Sequence, residues 1–457
     1  MFSLRNAFDS LSAGRLVGEG SERVASVCTD TRDLSPQCLF VALRGERFDA
    51  HDFLLQAQHS GAAAVLCERW PDALRLPGLL VADSRVALGE IARGWRQRFK
   101  LPLIAVAGSN GKTTVKEMIA SILAVAFGEH GRLATEGNRN NEIGVPQTVF
   151  RLGEQHHAAV LELGMNHPGE IAWLAQVARP TIALVNNAQR EHQEFLKSVK
   201  ATAQENGAVI SALSNDGVAV FPGGDPHAPI WRALAADRRR VEFGFDAALP
   251  VHAPAQSDPA GFELTVGGQS RSVSLSIDGL HNVHNALAAA ACCHAAGVAI
   301  DTIASGLQAF RPVRGRMARR RCVGGAALID DSYNANPDSV RAAIEVLAGW
   351  QGPRVLVLGD MGEVGEQGPQ YHQEVGQYAA QRGVEHLLTL GSATQASVQA
   401  FGERGQHFGD DLEGLLERLR ELATADACVL VKGSLFMRMG RVVEAIALDG
   451  RPGQGEH

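Results

Sequence analysis

The sequence predicts an α/β protein made of three units. Three observations carry that reading. Short apolar runs alternate with segments of helical period along almost the whole chain. The 457 residues include 49 glycines, as a fold with many strand-to-helix turns requires. Several apolar runs also end in polar residues, as strands of a ligand-binding parallel sheet do. A chain of this length exceeds one ordinary hydrophobic core, so two to four domains with a deep cleft are expected.

The first unit, residues 1–84, holds short strands such as Cys38 to Leu43 and Ala62 to Cys67, with a helical stretch near Phe53 to Gln58 between them. The second, 85–311, begins with a helix-like segment from Ala87 to Arg98 and the apolar strand Leu103 to Ala107. That strand runs directly into Gly108-Ser109-Asn110-Gly111-Lys112-Thr113-Thr114. Val115, Met118, Ile119, Ile122 and Leu123 then recur at helical spacing. Two more apolar strands, Ala158 to Glu162 and Thr181 to Asn186, should bring Glu162 and Asn186 to the crevice that the loop faces. Alternation around Gly267-Gly268 predicts a β-hairpin, read as part of a small antiparallel sheet covering the parallel one.

The third unit, 312–457, alternates strands (Ala326 to Ile329, Val355 to Leu358, Leu387 to Leu390, Val429 to Val431) with helical patterns, the order of a second doubly wound domain. Its strands end at Asp330-Asp331, Gly359-Asp360, Gly391-Ser392 and Lys432-Gly433-Ser434. The glycine- and proline-rich tail from Gly450 is expected to fray.

Composition narrows the function. A net charge of −7 without a basic stripe argues against nucleic-acid binding. Seven scattered cysteines without C-x-x-C pairs read as reduced core residues. No apolar stretch reaches the length of a membrane span, and the N-terminus lacks a signal-like apolar region, so a cytoplasmic protein is expected.

The glycine loop carries the chemistry. Glycines let backbone N–H groups turn inward around phosphate oxygens, and the following helix N-terminus adds its positive end. Lys112 is placed to neutralise β/γ-phosphates, and the Thr113 hydroxyl to ligate Mg²⁺. The first glycine lies only three residues before Gly111, so this is a shortened variant of the usual phosphate loop. Taken alone, Glu162 reads as a helix cap and His192 as a surface or satisfied core histidine more often than as a ligand; a phosphate loop on the same sheet strengthens the metal-ligand reading of both. Asparagine clusters at Asn138, Asn140 and Asn141 and at Asn334 and Asn336 are first of all turn residues. Asn285 opens an alanine-rich stretch, where capping and base or ribose recognition compete.

Together these residues resemble the Mur ligase family over nearly the whole chain. The signatures are Gly108 to Thr114, Glu162-Leu163-Gly164, His192, Asn282-Val283-His284-Asn285, Gly315-Arg316 and Asp331 to Pro337. Thr29 to Arg32, Phe40 to Phe53, Gly137 to Pro146, Leu358 to Gly365 and Lys432 to Ser434 are similar to the members that join D-alanyl-D-alanine to UDP-N-acetylmuramoyl-tripeptide. The resemblance implies an ATP- and Mg²⁺-dependent ligase of peptidoglycan precursor synthesis, acting as a monomer through an acylphosphate. It implies a UDP-sugar-binding first domain, a P-loop ATPase-like second and a Rossmann-like third. By the same resemblance Gly108, Ser109, Asn110, Gly111, Lys112, Thr113, Thr114, Asn285, Arg316 and Asp331 contact ATP. Lys112, Glu162 and His192 are catalytic, and Thr113, Glu162 and His192 hold metal. Asp30, Arg32, Arg47, Asp49 and His51 lie near the uridine nucleotide, while Asn138, Asn140, Asn141, Asn334 and Asn336 face substrate.

Two positions depart from the family pattern. Many members carry, fourteen residues after the metal-binding histidine, a lysine carbamylated to help hold a second Mg²⁺; Asn206 stands there, and Lys197 and Lys200 do not align, so no carbamylated lysine is expected. Leu435 follows Lys432-Gly433-Ser434 where arginine is usual. The alternatives are a Mur ligase adding another amino acid, a folylpolyglutamate-synthase-like enzyme, a nucleotide-dependent switch or kinase, and a non-catalytic binding module.

Overall fold

The computed structural model describes residues 1–45 and 48–449; Arg47 and the tail from Gly450 lie outside the described residues. The N-terminal unit is a five-stranded sheet in the order Arg15–Val17, Gly78–Leu80, Ala64–Cys67, Cys38–Val41, Ser26–Cys28. Only the first pairing is antiparallel. Helix Ser84–Arg96, capped by the Asp83 carboxylate on the amides of Arg85 and Val86, packs on helices of the central unit. A Cβ at Gly89 of this helix would meet the Trp173 ring at 2.5 Å.

The central sheet has nine strands. Third from one edge is β1 (Leu103–Ala107), flanked by β2 (Ala158–Glu162) and β3 (Ile182–Val185), all parallel. Every residue of β1 is fully buried, because helices cover both faces; this is why it reads as an unbroken apolar run. On one face lie α1 (Lys112–Phe127), whose Val115, Met118, Ile119, Ile122 and Leu123 are buried at the predicted spacing, and α3 (Leu280–Ala295). On the other lies α2 (Val199–Ser211), together with the helices that meet Ser84–Arg96. The hairpin Phe262–Val266 and Gln269–Val273 is present, but it does not form a separate covering sheet. The two-residue strand Val251–His252 joins it edge-on to the parallel strands, so it continues the central sheet.

The C-terminal unit is a six-stranded sheet ordered Ala318–Arg321, β4 (Ala327–Asp331), β6 (Cys428–Lys432), β5 (Arg354–Gly359), His386–Leu390, Gly405–His407. It is parallel except at Ala318–Arg321. That edge strand is invisible in the apolar pattern because three of its four residues are arginines. Helix α4 (Pro337–Ala348) starts at an Asn336–Ser339 capping box and a first-turn proline. One contiguous apolar core runs from α1 and α3 into α4 and β4, so the second and third units pack directly on each other. All seven cysteines are unpaired and six are buried. No helix among the described residues is long and apolar enough to cross a membrane.

Candidate active site in the interdomain cleft

Parallel pairing aligns the carboxyl ends of β1, β2 and β3, with Glu162 opposite Val106 and Val185 opposite Ala107. The glycine loop therefore leaves the sheet between Glu162 and Asn186. Gly108 has φ +137°, and a Cβ there would sit 3.1 Å from the amide nitrogens of Asn186 and Asn187. Gly111 has φ +79°, and a Cβ would reach within 2.5 Å of Asn285 Oδ1. A side chain fits at neither position.

The loop's amides divide into two groups. Gly108 N donates to Asn206 Oδ1 (3.2 Å), Ser109 N to Asn187 O (3.2 Å) and Asn110 N to Asn187 Oδ1 (2.9 Å). Among the described residues no protein acceptor takes the N–H groups of Gly111, Lys112, Thr113 or Thr114. Those four open α1 and form the anion-binding end of the helix.

Thr113 Oγ1 donates to Glu162 Oε2 (2.8 Å), and Asn140 Nδ2 to Glu162 Oε1 (2.8 Å). Lys112 Nζ donates to Gly108 O (2.6 Å), Ser109 O (3.1 Å) and Glu191 Oε1 (3.0 Å). His192, in a left-handed conformation at φ +49°, lies between Glu191 (Nε2, 3.5 Å) and Glu363 of the C-terminal unit (Nδ1, 2.6 Å). Burial disfavours its imidazolium, but the two carboxylates outweigh burial and raise its pKa to about 9. The same contact lowers the Glu363 pKa.

A second part of the cleft is lined by α3 and the C-terminal unit. Asn285 is not a cap: α3 begins at Leu280 after Gly279, which puts Asn285 in the second turn with its side chain buried. Its Oδ1 accepts from Asn186 Nδ2 (3.0 Å) and its Nδ2 donates to Asn282 Oδ1 (2.9 Å). His284 packs against Phe243 (ring centroids 5.0 Å apart) and Phe245 (6.0 Å), and burial pushes its pKa down to about 4. The ring is neutral at neutral pH and offers a flat apolar wall. Across the cleft the Arg316 guanidinium lies 4.2 Å from the Tyr333 ring centroid. Asp331 accepts from Met317 N (3.2 Å) and pairs with Lys432.

These residues line one cleft of about 1350 Å³. It contains Ser109 to Thr114, Glu162, His192, Asn285, Arg316, Asp331, and Asn138, Asn140, Asn141, Asn334 and Asn336. Asn141 Oδ1 accepts from Gly144 N (2.9 Å), a local bracing contact. Asn336 caps α4 and also pairs its amide with that of Asn110 on the phosphate loop (2.8 and 3.2 Å). Asp30, Arg32, Asp49 and His51 lie elsewhere, on the N-terminal unit. Asp30 is held down to about 2 by its hydrogen bonds from Arg32. His51 uses both ring nitrogens, Nδ1 on Asp49 (2.6 Å) and Nε2 accepting from Glu68 N (2.8 Å), and so braces its loop. Arg85 joins the two regions: it lines both the large cleft and a 300 Å³ polar pocket with Arg44, Glu68 and Asp83.

Sequence reasoning missed Arg85, Asn187, Gln189, Arg190 and Glu191, all of which line the cleft. For the last four the run Asn186 to His192 contained a signal: six of its seven residues are polar, directly after the apolar strand β3.

Fold and site together define a nucleotide-binding α/β enzyme in which a second Rossmann-like unit closes on the phosphate loop. The chain belongs to the Mur ligase family. The family's catalytic domain matches residues 23–96, its middle domain 106–293, and the Mur ligase glutamate ligase domain 315–435. The UDP-N-acetylmuramoyl-tripeptide–D-alanyl-D-alanine ligase of Escherichia coli K12 is 41% identical over 431 residues, covering 93% of this chain and 94% of the relative. A crystal structure of MurF from Acinetobacter baumannii superposes with a TM-score of 0.90 at 32% identity, covering 97% of this chain and 98% of that one. MurF from Thermotoga maritima in complex with ADP gives 0.83 at 25% identity, covering 92% and 96%.

Proposed function

We propose that this chain is an ATP-dependent ligase that joins D-alanyl-D-alanine to UDP-N-acetylmuramoyl-tripeptide, releasing ADP and phosphate, as a cytoplasmic monomer in peptidoglycan precursor synthesis. The observation that carries the reading is the docking of the C-terminal unit on the phosphate loop through Asn110 and Asn336. A nucleotide switch needs only the central sheet, whereas a ligase must also bring an amine to the activated carbonyl. Residues 1–84 hold the uridine nucleotide, 85–311 the ATP and 312–457 the incoming amine.

A peptide carboxylate is a poor acyl donor. It attacks the γ-phosphorus of ATP, the bond to the ADP oxygen breaks, and an acylphosphate forms. The free amides of Gly111 to Thr114 and the Lys112 ammonium offset charge on the transferring group. The dipeptide amine then attacks the carbonyl carbon, and the tetrahedral intermediate collapses with loss of phosphate and a proton. Closure of the C-terminal unit holds amine and carbonyl together and excludes water, which would otherwise hydrolyse the acylphosphate. Asn285, His284 and Arg316 hold the base and ribose, with Asp331 beside them. Asn138, Asn140 and Asn141 face the peptide arm.

The Thr113 hydroxyl and Glu162 carboxylate fit Mg²⁺: both are oxygen donors, they already touch, and Mg²⁺ takes one or two protein ligands alongside phosphate oxygens. When bound, the ion supplies charge neutralisation at the phosphates. His192 would join this set only after giving up the proton that Glu191 and Glu363 hold on it. Phosphate release from ATP, measured with each candidate acceptor, tests the function. Release that needs both UDP-N-acetylmuramoyl-tripeptide and D-alanyl-D-alanine is expected; release indifferent to the dipeptide would overturn the assignment.

A further inference from the structure

An ammonium group has three protons to donate, and Lys112 spends all three inside the protein, on Gly108 O, Ser109 O and Glu191 Oε1. No donor is left for a phosphate. Nucleotide binding must therefore free one. Two of the acceptors are carbonyls of the loop itself, so the side-chain contact to Glu191 is the one that can yield.

Release leaves Glu191 in difficulty. Its side chain is 9% exposed, and its Oε2 already has no hydrogen-bond partner. Among the described residues it is the one unpartnered buried carboxylate oxygen that lines the cleft. Once Lys112 turns to a phosphate, this carboxylate faces added negative charge in a water-poor site, where an uncompensated ion is costly. The charged groups around it are Lys112, His192 and, beyond His192, Glu363. Asn206, which fixes Gly108 N, carries no charge and leaves its own Nδ2 unpaired. Glu363 is taken up by His192, so the carboxylate oxygen left without a partner beside the loop is that of Glu191.

We propose that Glu191 is a ligand of a divalent cation, exchanged from Lys112 to the ion when the nucleotide binds. It thus takes the place that a charged side chain at position 206 would fill. The inference rests on the nucleotide reading of the cleft, but its test needs no acceptor substrate and no turnover. Binding of Mn²⁺ to the full-length protein is followed by the loss of the free-ion paramagnetic resonance signal. Without nucleotide, Lys112→Met removes the closer of the two cations that face Glu191 and leaves only His192, so Mn²⁺ should bind at least about tenfold more tightly than to the wild type. Lys112→Met/Glu191→Gln should return to the wild-type value. With β,γ-methylene ATP the wild type should take up two Mn²⁺ per chain and Glu191→Gln one.

Thermal unfolding confirms that each variant is folded. Two ions retained by Glu191→Gln, or no tightening in Lys112→Met, would show that Glu191 serves only as the counter-ion of Lys112 and His192, and would overturn the proposal. Absence of dipeptide-dependent phosphate release would refute the ligase reading and leave the ion counts unaffected.

Discussion

Arg190 is the main polar link between the central and C-terminal units, and removing its side chain should loosen their docking measurably. Its Nε and Nη2 donate to Asp338 Oδ1 (3.0 and 2.6 Å), and Nη1 and Nη2 donate to Glu374 Oε2 and Oε1 (2.6 and 3.0 Å). The guanidinium carbon also lies 5.1 Å from the Tyr371 ring centroid. The three side chains are 18%, 23% and 31% exposed, so the pair is neither a surface contact nor a fully buried one. Exposed ion pairs contribute about 0.2–1 kcal/mol, while stripping one partner from a buried pair costs about 3–5 kcal/mol.

Two contacts soften the loss. Arg341 still neutralises Glu374, and the Arg190 amide still donates to Asp338 Oδ2. About 2 kcal/mol is therefore expected for Arg190→Met, roughly a thirtyfold shift of the docking equilibrium toward the open form, taking about 1.4 kcal/mol as tenfold. The amide of Glu194 reports it, because it donates across the junction to Glu363 O (3.3 Å). Its hydrogen exchange should accelerate by about the same factor, with an increase in radius of gyration by solution scattering. Arg190→Lys should recover less than half of the loss, since an ammonium cannot fork to two carboxylates. An exchange rate within about threefold of wild type, with unchanged scattering, would refute the idea that this cluster holds the units together.

Three further outcomes are expected. Asn206→Ala leaves the buried Gly108 N–H without an acceptor, a loss of about 1–3 kcal/mol, and should weaken nucleotide binding by about tenfold or more in a calorimetric titration. Docking should weaken in acid: Arg190 chiefly holds the Glu374 carboxyl below its usual range, so its contribution is complete above the ordinary glutamate value of about 4.3 and is lost as pH falls through the depressed one. Scattering at pH 7 and near pH 3 should differ for the wild type, and the Glu374 component of that difference should vanish in Arg190→Met. Intact-protein mass spectrometry should find no carbamate, because Lys197 and Lys200 are both solvent-exposed and position 206 is asparagine.

What the sequence made legible was local. The glycine loop, its preceding strand and its helix are contiguous, so period and residue type identified them together, and Glu162 followed from the rule that ligands sit at strand ends. Features set by distant pairing were not legible. Glu191 is one carboxylate among many until its contact with Lys112, 79 positions away, is seen. Asn336 reads as a helix cap, which it is; its second bond to Asn110 spans 226 positions. Asn285 was placed one turn too early because the helix start depends on Gly279, whose left-handed φ of +95° ends the preceding loop while leaving polar His281 and Asn282 inside the helix. The hairpin was read as a separate sheet because the strand tying it to the parallel sheet has only two residues, too few for any period.

The same physics explains why the departure at Asn206 could be noticed in the sequence but not interpreted there. A lost lysine signals a missing charge. Where the compensating charge comes from is decided by which other side chain is buried beside the loop without a full set of partners, and that is a property of packing alone. The structure identifies that side chain as Glu191, held by Lys112 until a phosphate competes for the ammonium.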